Sequence, residues 1–218
     1  KRIWKTFISL SVRQRVYRSY APLPAGGLPA LADGLVYYST NRGAIIAADK
    51  MTGVPKWIRR YERKPGNRPA ISLGPDEGLN SWLLNAPLVA GGKIFVTPQD
   101  SDFLQCFDSI TGRQLWEANR GQNTYLLGYR DGRVFLSGNQ ISYLDADNGK
   151  LVNRTVRLDG TPAGLGLVGT RLVHCPGSGR LHRSFVGNGK LGHARSWDRG
   201  MGPGNLMHVG KLFIVAGT

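Results

Sequence analysis

A short strand opening after a Gly turn, and a second strand closing on Asp-x-x-x-Gly, recur along this chain at nearly constant spacing. The first copy runs from Asp33-Gly34-Leu35-Val36-Tyr37 to Asp49-Lys50-Met51-Thr52-Gly53 and on to Trp57. The second runs from Gly91-Gly92-Lys93-Ile94-Phe95 to Asp108-Ser109-Ile110-Thr111-Gly112 and on to Trp116. The third runs from Asp131-Gly132-Arg133-Val134-Phe135 to Asp145-Ala146-Asp147-Asn148-Gly149, with Asn153 where Trp would stand. A fourth copy is worn, with Phe185 in place of Asp, and a fifth shows its opening at Val209-Gly210-Lys211. Asp and turn Gly are 4 residues apart in the first three copies, and Gly and Trp are 4 apart in both copies that have Trp. Equivalent opening turns follow one another after 58, 40, 38 and 40 residues. A period of about 40 residues carrying four short strands is the signature of a propeller blade. The expected fold is all-β: a β-propeller of four-stranded antiparallel blades, about four of them in this chain plus partial ones.

Each repeated residue has a structural task. Gly and Asn adopt the positive φ that tight hairpin turns demand. The Asp carboxylate is placed to accept the free N–H groups of the turn that follows it, as in an Asx turn. Trp offers a large apolar plate to the neighbouring blade and an N–H that needs a carbonyl. Asp49, Gly53, Trp57, Asp108, Gly112, Trp116, Asp145 and Gly149 are therefore read as scaffold. The 30 glycines and 12 prolines of the 218 residues punctuate the strands. With 41% hydrophobic residues the chain is not disordered, and no apolar run reaches the ~18 residues of a spanning helix.

The segments Ala47-Ala48-Asp49-Lys50-Met51-Thr52-Gly53-Val54-Pro55-Lys56-Trp57 and Cys106-Phe107-Asp108-Ser109-Ile110-Thr111-Gly112-Arg113-Gln114-Leu115-Trp116 resemble the repeat of the pyrroloquinoline-quinone-type (PQQ-like) β-propellers. The resemblance extends over about residues 30–218 and is strongest in the first two copies. It implies a ring of seven or eight blades, so missing blades of the same polypeptide are expected partners. It also implies export to the periplasm or another extracytoplasmic site in a bacterium. Residues 1–29 are read as the end of a preceding blade and a connection, residues 30–218 as blades, and the whole as a fragment of one larger domain. The superfamily contains quinoprotein dehydrogenases as well as the non-catalytic propeller lipoprotein of outer-membrane barrel assembly, and the resemblance here is to the non-catalytic branch. The repeat is specific for fold and not for activity.

For the dehydrogenase branch the resemblance would imply a quinone over a Trp floor, a calcium site and a pair of adjacent cysteines. Cys106 and Cys175 are 69 residues apart, on different blades, and read as buried small hydrophobes. Gln99-Asp100-Ser101-Asp102 reads as a solvated turn rather than a calcium loop. A hairpin closed by Pro176-Gly177-Ser178-Gly179 brings His174 opposite His182, the one arrangement that resembles a metal pair, but Cys175 then points to the other face. No metal, cofactor or catalytic residue is expected, with PQQ and calcium entering only under the dehydrogenase alternative.

Lys and Arg number 29 against 14 Asp and Glu, a formal charge of +15. The first period exceeds the others by about 18 residues, and the excess is a basic insertion at about 59–80 carrying Arg59, Arg60, Arg63, Lys64 and Arg68. Such a patch suits an acidic protein partner or an anionic membrane surface. Nucleic acid is disfavoured, because Tyr61 is the one aromatic of the insertion itself. Segments ahead of the innermost strands should line the central funnel, with Asn80, Trp82, Asn123, Tyr125 and Asn205 as candidate ligand contacts. The expected function is a non-catalytic scaffold for protein–protein interaction in an exported bacterial assembly. The alternatives are a piece of a PQQ-dependent dehydrogenase and a ligand-sensing propeller of a membrane-anchored receptor.

Overall fold

The computed structural model describes residues 5, 28–40, 43–62, 85–98, 101–155, 158, 166–169, 171–177, 180–185, 195–196, 204–209 and 212–217. These residues form antiparallel sheets and, among them, no helix. The first blade is β1 (Ala30–Ala32), β2 (Leu35–Ser39), β3 (Ala44–Asp49) and β4 (Pro55–Arg60), each strand pairing with the next. The second is β5 (Leu88–Ala90), β6 (Lys93–Val96), β7 (Phe103–Asp108) and β8 (Gln114–Asn119). The third is β9 (Asn123–Arg130), β10 (Arg133–Gly138), β11 (Ile141–Asp145) and β12 (Leu151–Arg154). The fourth is β13 (Leu167–Val168), β14 (Leu172–Gly177), β15 (Arg180–Phe185) and β16 (Arg195–Ser196), followed by the pair β17 (Gly204–Val209) and β18 (Leu212–Gly217). The first strands of successive blades touch: β1 with β5, β5 with β9, β9 with β13, and β13 with β17. They form the inner side of the array, and β4, β8, β12 and β16 form its outer edge.

Register confirms the repeat. Asp49 pairs with Leu35, Asp108 with Lys93 and Asp145 with Arg133. Phe185 pairs with Leu172 at the same place in the fourth blade, so the worn copy is a true blade with its Asp replaced. The Asp49 carboxylate accepts the N–H of Met51 and of Thr52 at 2.9 Å and the Thr52 hydroxyl at 3.0 Å. Asp108 repeats this with Ile110, Thr111 and the Thr111 hydroxyl, and Asp145 accepts from the N–H groups of Asp147 and Asn148.

The N–H groups of Thr52 and Thr111, ahead of the other donors, hold the Asp49 and Asp108 carboxyls below their ordinary 3.8. A depressed carboxyl stabilises the fold above its unfolded value and loses that contribution as pH falls through its folded value. The turns are therefore expected to weaken below about pH 3.8. Asp49→Asn with Asp108→Asn keeps an acceptor oxygen but not the charge. It should lower the melting temperature at pH 6 and flatten its decline between pH 5 and 2.5, measured by circular dichroism; an unchanged slope contradicts this.

The core lies between blades. Tyr37, Ala47 and Trp57 of the first blade pack on Ile94, Val96 and Phe107 of the second. Phe95, Leu104 and Cys106 of the second pack on Leu126, Val134 and Leu144 of the third. Phe135 and Tyr143 of the third meet Val173 and Cys175 of the fourth. The Trp57 Nε1 donates to the Ser109 carbonyl at 3.0 Å, and the Trp116 Nε1 to the Ala146 carbonyl at 3.1 Å. Each Trp lies over the turn Gly of the next blade. A Cβ on Gly112 would stand 2.6 Å from the Trp57 ring, and one on Gly149 would stand 2.5 Å from the Trp116 ring.

The third blade solves the same problem differently. Trp57 is cross-strand from Ala47, and Trp116 from Cys106, both small. At the matching pair Asn153 replaces the Trp and Tyr143 replaces the small residue. The Tyr143 ring is buried edge-on against Phe135, and its hydroxyl bonds the Ser184 hydroxyl of the fourth blade. The aromatic clasp has moved one strand inward.

The hairpin at 172–185 corrects one expectation. Gly177 pairs with Arg180, so two residues connect the strands and His182 faces Cys175 while His174 faces Arg183. Loop length sets hairpin register, and the supposed His174–His182 pairing would need a loop one residue longer. The two histidines are not cross-strand partners.

Candidate functional site

The strand ends carry the polar surface. In each of the first three blades the turn between the first and second strands and the turn between the third and fourth lie on one face. On the other lie the ends of the second strands, the starts of the third, and residues 120–122 between the second and third blades. Of the sequence candidates, Asn123 and Tyr125 are at the second face, where β9 begins. Asn80 and Trp82 lie outside the described residues, as do Arg63, Lys64, Arg68 and all of residues 1–27 except Lys5. Asn205 is in β17, opposite Ala216.

Asn123 and Tyr125 both start β9, yet they part company. Tyr125 is buried, and burial pushes its hydroxyl up to about 12, so it is packed rather than offered to a ligand. Asn123 turns into the groove between the second and third blades, where its amide donates to the Arg120 carbonyl at 2.8 Å and to the Ser142 hydroxyl at 3.1 Å. The inner strand is capped by a residue that sequence reasoning did not single out. The Asn85 amide donates to the Thr124 carbonyl at 2.8 Å and accepts the Leu126 N–H at 3.1 Å, replacing a neighbouring strand.

Arg59 and Arg60 are placed in β4, opposite Ile45 and Ala44, so the insertion begins after them. The Arg59 guanidinium donates to the Gly112 carbonyl at 3.1 Å and the Thr111 carbonyl at 3.0 Å, joining the first blade to the turn of the second. Tyr61 is buried in the core between these blades and its N–H bonds the Gly43 carbonyl. The first two arginines of the basic stretch are thus sheet residues, and Arg59 is occupied between blades.

Among the described residues, two hollows between blades stand out. One, on the face of the β1–β2 turns, has a volume of about 650 Å3 and is lined by Asp33, Tyr37, Asp49, Lys56, Ser109 and Ile110. The other, on the opposite face, measures about 500 Å3 and lies between the second and third blades. Its frame is rigid because Arg120, almost fully buried, donates to the carbonyls of Ser101 at 2.8 Å, Pro98 at 3.1 Å and Thr97 at 3.4 Å. The walls are rich in carboxamides: Asn119, Gln122, Asn123, Asn139 and Gln140. Their signal in the sequence was the amide density at 119–123 and 139–140, of which the funnel candidates included Asn123.

The described residues do not fit a quinone and calcium. Trp57 and Trp116, the aromatic plates of the repeat, are each already engaged by a turn glycine of the next blade, Gly112 and Gly149. Cys106 and Cys175 are both free and buried, and desolvation pushes each thiol up to about 12. Among the described residues no group of three His, Cys, Asp or Glu side chains is placed to hold a metal. No helix of the described residues is long and apolar enough to cross a membrane.

Residues 1–157 match the family model described as outer membrane protein assembly factor BamB. The structure is similar to that of BamB from Moraxella catarrhalis, with a TM-score of 0.63 at 18% identity. That match covers 86% of this chain and 53% of the Moraxella protein, so the chain spans about half its length. The quinohemoprotein alcohol dehydrogenase from Comamonas testosteroni has a TM-score of 0.57 at 17% identity, over 78% of this chain and 35% of that one. The computationally designed Ika4 protein has a TM-score of 0.55 at 14% identity, over 79% of this chain and 95% of that one. No curated protein matches the sequence. At these identities the structural likenesses speak for a shared propeller fold.

Proposed function

The chain belongs to the outer membrane protein assembly factor BamB family, and from that premise we propose that it is a non-catalytic β-propeller scaffold that holds protein partners in an exported bacterial assembly. The observation that carries the reading is the way the repeat residues are spent. Asp49, Asp108, Trp57, Trp116, Gly112 and Gly149 all serve turns and blade seams. What is left for function is the surface of connections, which is where scaffold propellers vary. The protein acts outside the cytoplasm, binds no quinone and no calcium, and meets acidic surfaces of its partners with Arg60, Arg63, Lys64 and Arg68. Asn80, Trp82 and Asn205 remain candidate ligand contacts of the central funnel under this reading.

The test uses the full-length protein in the bacterial envelope. Affinity capture should retain a defined partner with the native protein and lose it when Arg60, Arg63, Lys64 and Arg68 are all replaced by Ala, with the melting temperature unchanged. If the substituted loop retains every partner, the basic stretch is not the interface. Dye reduction with alcohols after reconstitution with PQQ and calcium would overturn the non-catalytic assignment.

A further inference from the structure

The groove between the second and third blades has the size of a ligand site, about 500 Å3, within the usual range of roughly 300–1,000 Å3. Its two polar walls approach closely. A Cβ on Gly138, at the end of β10, would stand 2.2 Å from the Gln122 carbonyl oxygen. With Arg120 clamped to three carbonyls beneath them, the walls are held in place before any ligand arrives.

Three properties of the lining select a ligand class. The first is its unspent hydrogen-bonding capacity. Gln122 and Asn139 bond each other through one end of each amide at 2.5 Å, and Gln140 donates to the Thr155 carbonyl at 3.0 Å. That leaves the Gln122 amide nitrogen as a donor and the Asn139 and Gln140 carbonyl oxygens as acceptors. A peptide group, one N–H and one C=O, matches such a set. The second property is the lack of an aromatic ring among the described lining residues, which gives a nucleobase or other flat ligand no face to stack on. The third is charge. Among the described residues no carboxylate lines the groove, and Arg154, exposed at the end of β12, has no acidic side chain bonded to it. Its planar fork suits a carboxylate held by two parallel bonds. Leu136 and Leu144 supply an apolar floor that a polar ion alone would not use.

We propose that this groove binds an extended acidic peptide segment of a partner protein, with main-chain groups on Gln122, Asn139 and Gln140 and a carboxylate on Arg154. The proposal rests on the scaffold reading and gives it a second contact surface, distinct from the basic stretch after β4.

The experiment follows the fluorescence anisotropy of a fluorescein-labelled Ser-Asp-Ser-Asp-Ser-Asp peptide titrated with the full chain. The Lys counterpart of that peptide and triacetylchitotriose serve as competitors. Saturable binding of the Asp peptide is expected, weakened at least tenfold by Arg154→Gln and unchanged by Arg113→Gln, an exposed cation on the opposite face. Circular dichroism should show the same melting temperature for both variants, because both side chains are exposed. No saturable binding overturns the proposal. So does an equal loss in both variants, which assigns binding to the general positive charge, and so does displacement by the trisaccharide. Envelope capture that Arg154→Gln leaves intact also overturns the groove, while the scaffold function stands; failure of the native protein to capture any partner removes the scaffold function itself.

Discussion

Gly112→Ala should cost about 3 kcal/mol of folding free energy, the sum of a backbone penalty of roughly 1–2 kcal/mol and an overpacking penalty of roughly 1–3 kcal/mol. The backbone term arises because Gly112 has φ 67°, a left-handed conformation that a Cβ disfavours. The packing term arises because that Cβ would stand 2.6 and 2.7 Å from two atoms of the Trp57 ring. The ring cannot back away freely. Its Nε1 is tied to the Ser109 carbonyl, three residues before Gly112, and its other side packs on Tyr37 with ring centres 6.2 Å apart. Gly34→Ala is the control: its φ is 76°, but nothing lies within 4 Å of the added Cβ. That variant should lose the backbone term alone. Urea denaturation of the two variants separates the terms, and equal losses would show that the Trp contact contributes nothing to the need for glycine at 112.

Trp57→Ala should be comparably severe, at about 3–5 kcal/mol, because a large buried side chain leaves a void between two blades. Trp57 is 7% exposed and sits in the cluster with Tyr37, Ile94 and Phe107. The Ser109 carbonyl would keep only the long 3.5 Å contact from the Tyr37 hydroxyl. The two substitutions act on one contact, so they should not add. In the Trp57→Ala background, Gly112→Ala meets no ring and should cost only its backbone term, giving a coupling of about 1–2 kcal/mol between the sites. Additivity within experimental error would mean that Trp57 and Gly112 do not press on one another in solution.

Much of this was legible before any coordinates. The fixed offset from Asp to Gly to Trp reports a turn and a docking plate, both of them local in sequence or one repeat apart, and Phe185 could be aligned with the Asp positions despite sharing none of their chemistry. What escaped depends on partners that periodicity does not name. The displacement of the clasp from Asn153 to Tyr143 requires knowing that these two residues are cross-strand neighbours. The assignment of Arg59 and Arg60 to β4 was hidden because a charged pair at a sheet's outer edge looks like the start of a loop. The offset of His174 from His182 turned on a single residue of hairpin length. The amide-lined groove is assembled from links 20 residues apart that are unremarkable until two blades are set side by side.

The seams also give the chain a direction. Trp57 is fastened by Ser109, 52 residues further on, and Trp116 by Ala146, 30 residues further on. In both cases the plate is supplied by the earlier blade and the seat by the later one. Arg59 reaches forward in the same way to Thr111 and Gly112, and Tyr143 to Ser184. During synthesis from the N-terminus, a blade therefore waits with its aromatic plate uncovered until the next Asp-x-x-x-Gly turn has emerged. The unit that becomes stable is offset from the unit that repeats: it is one blade together with the first turn contributed by its successor.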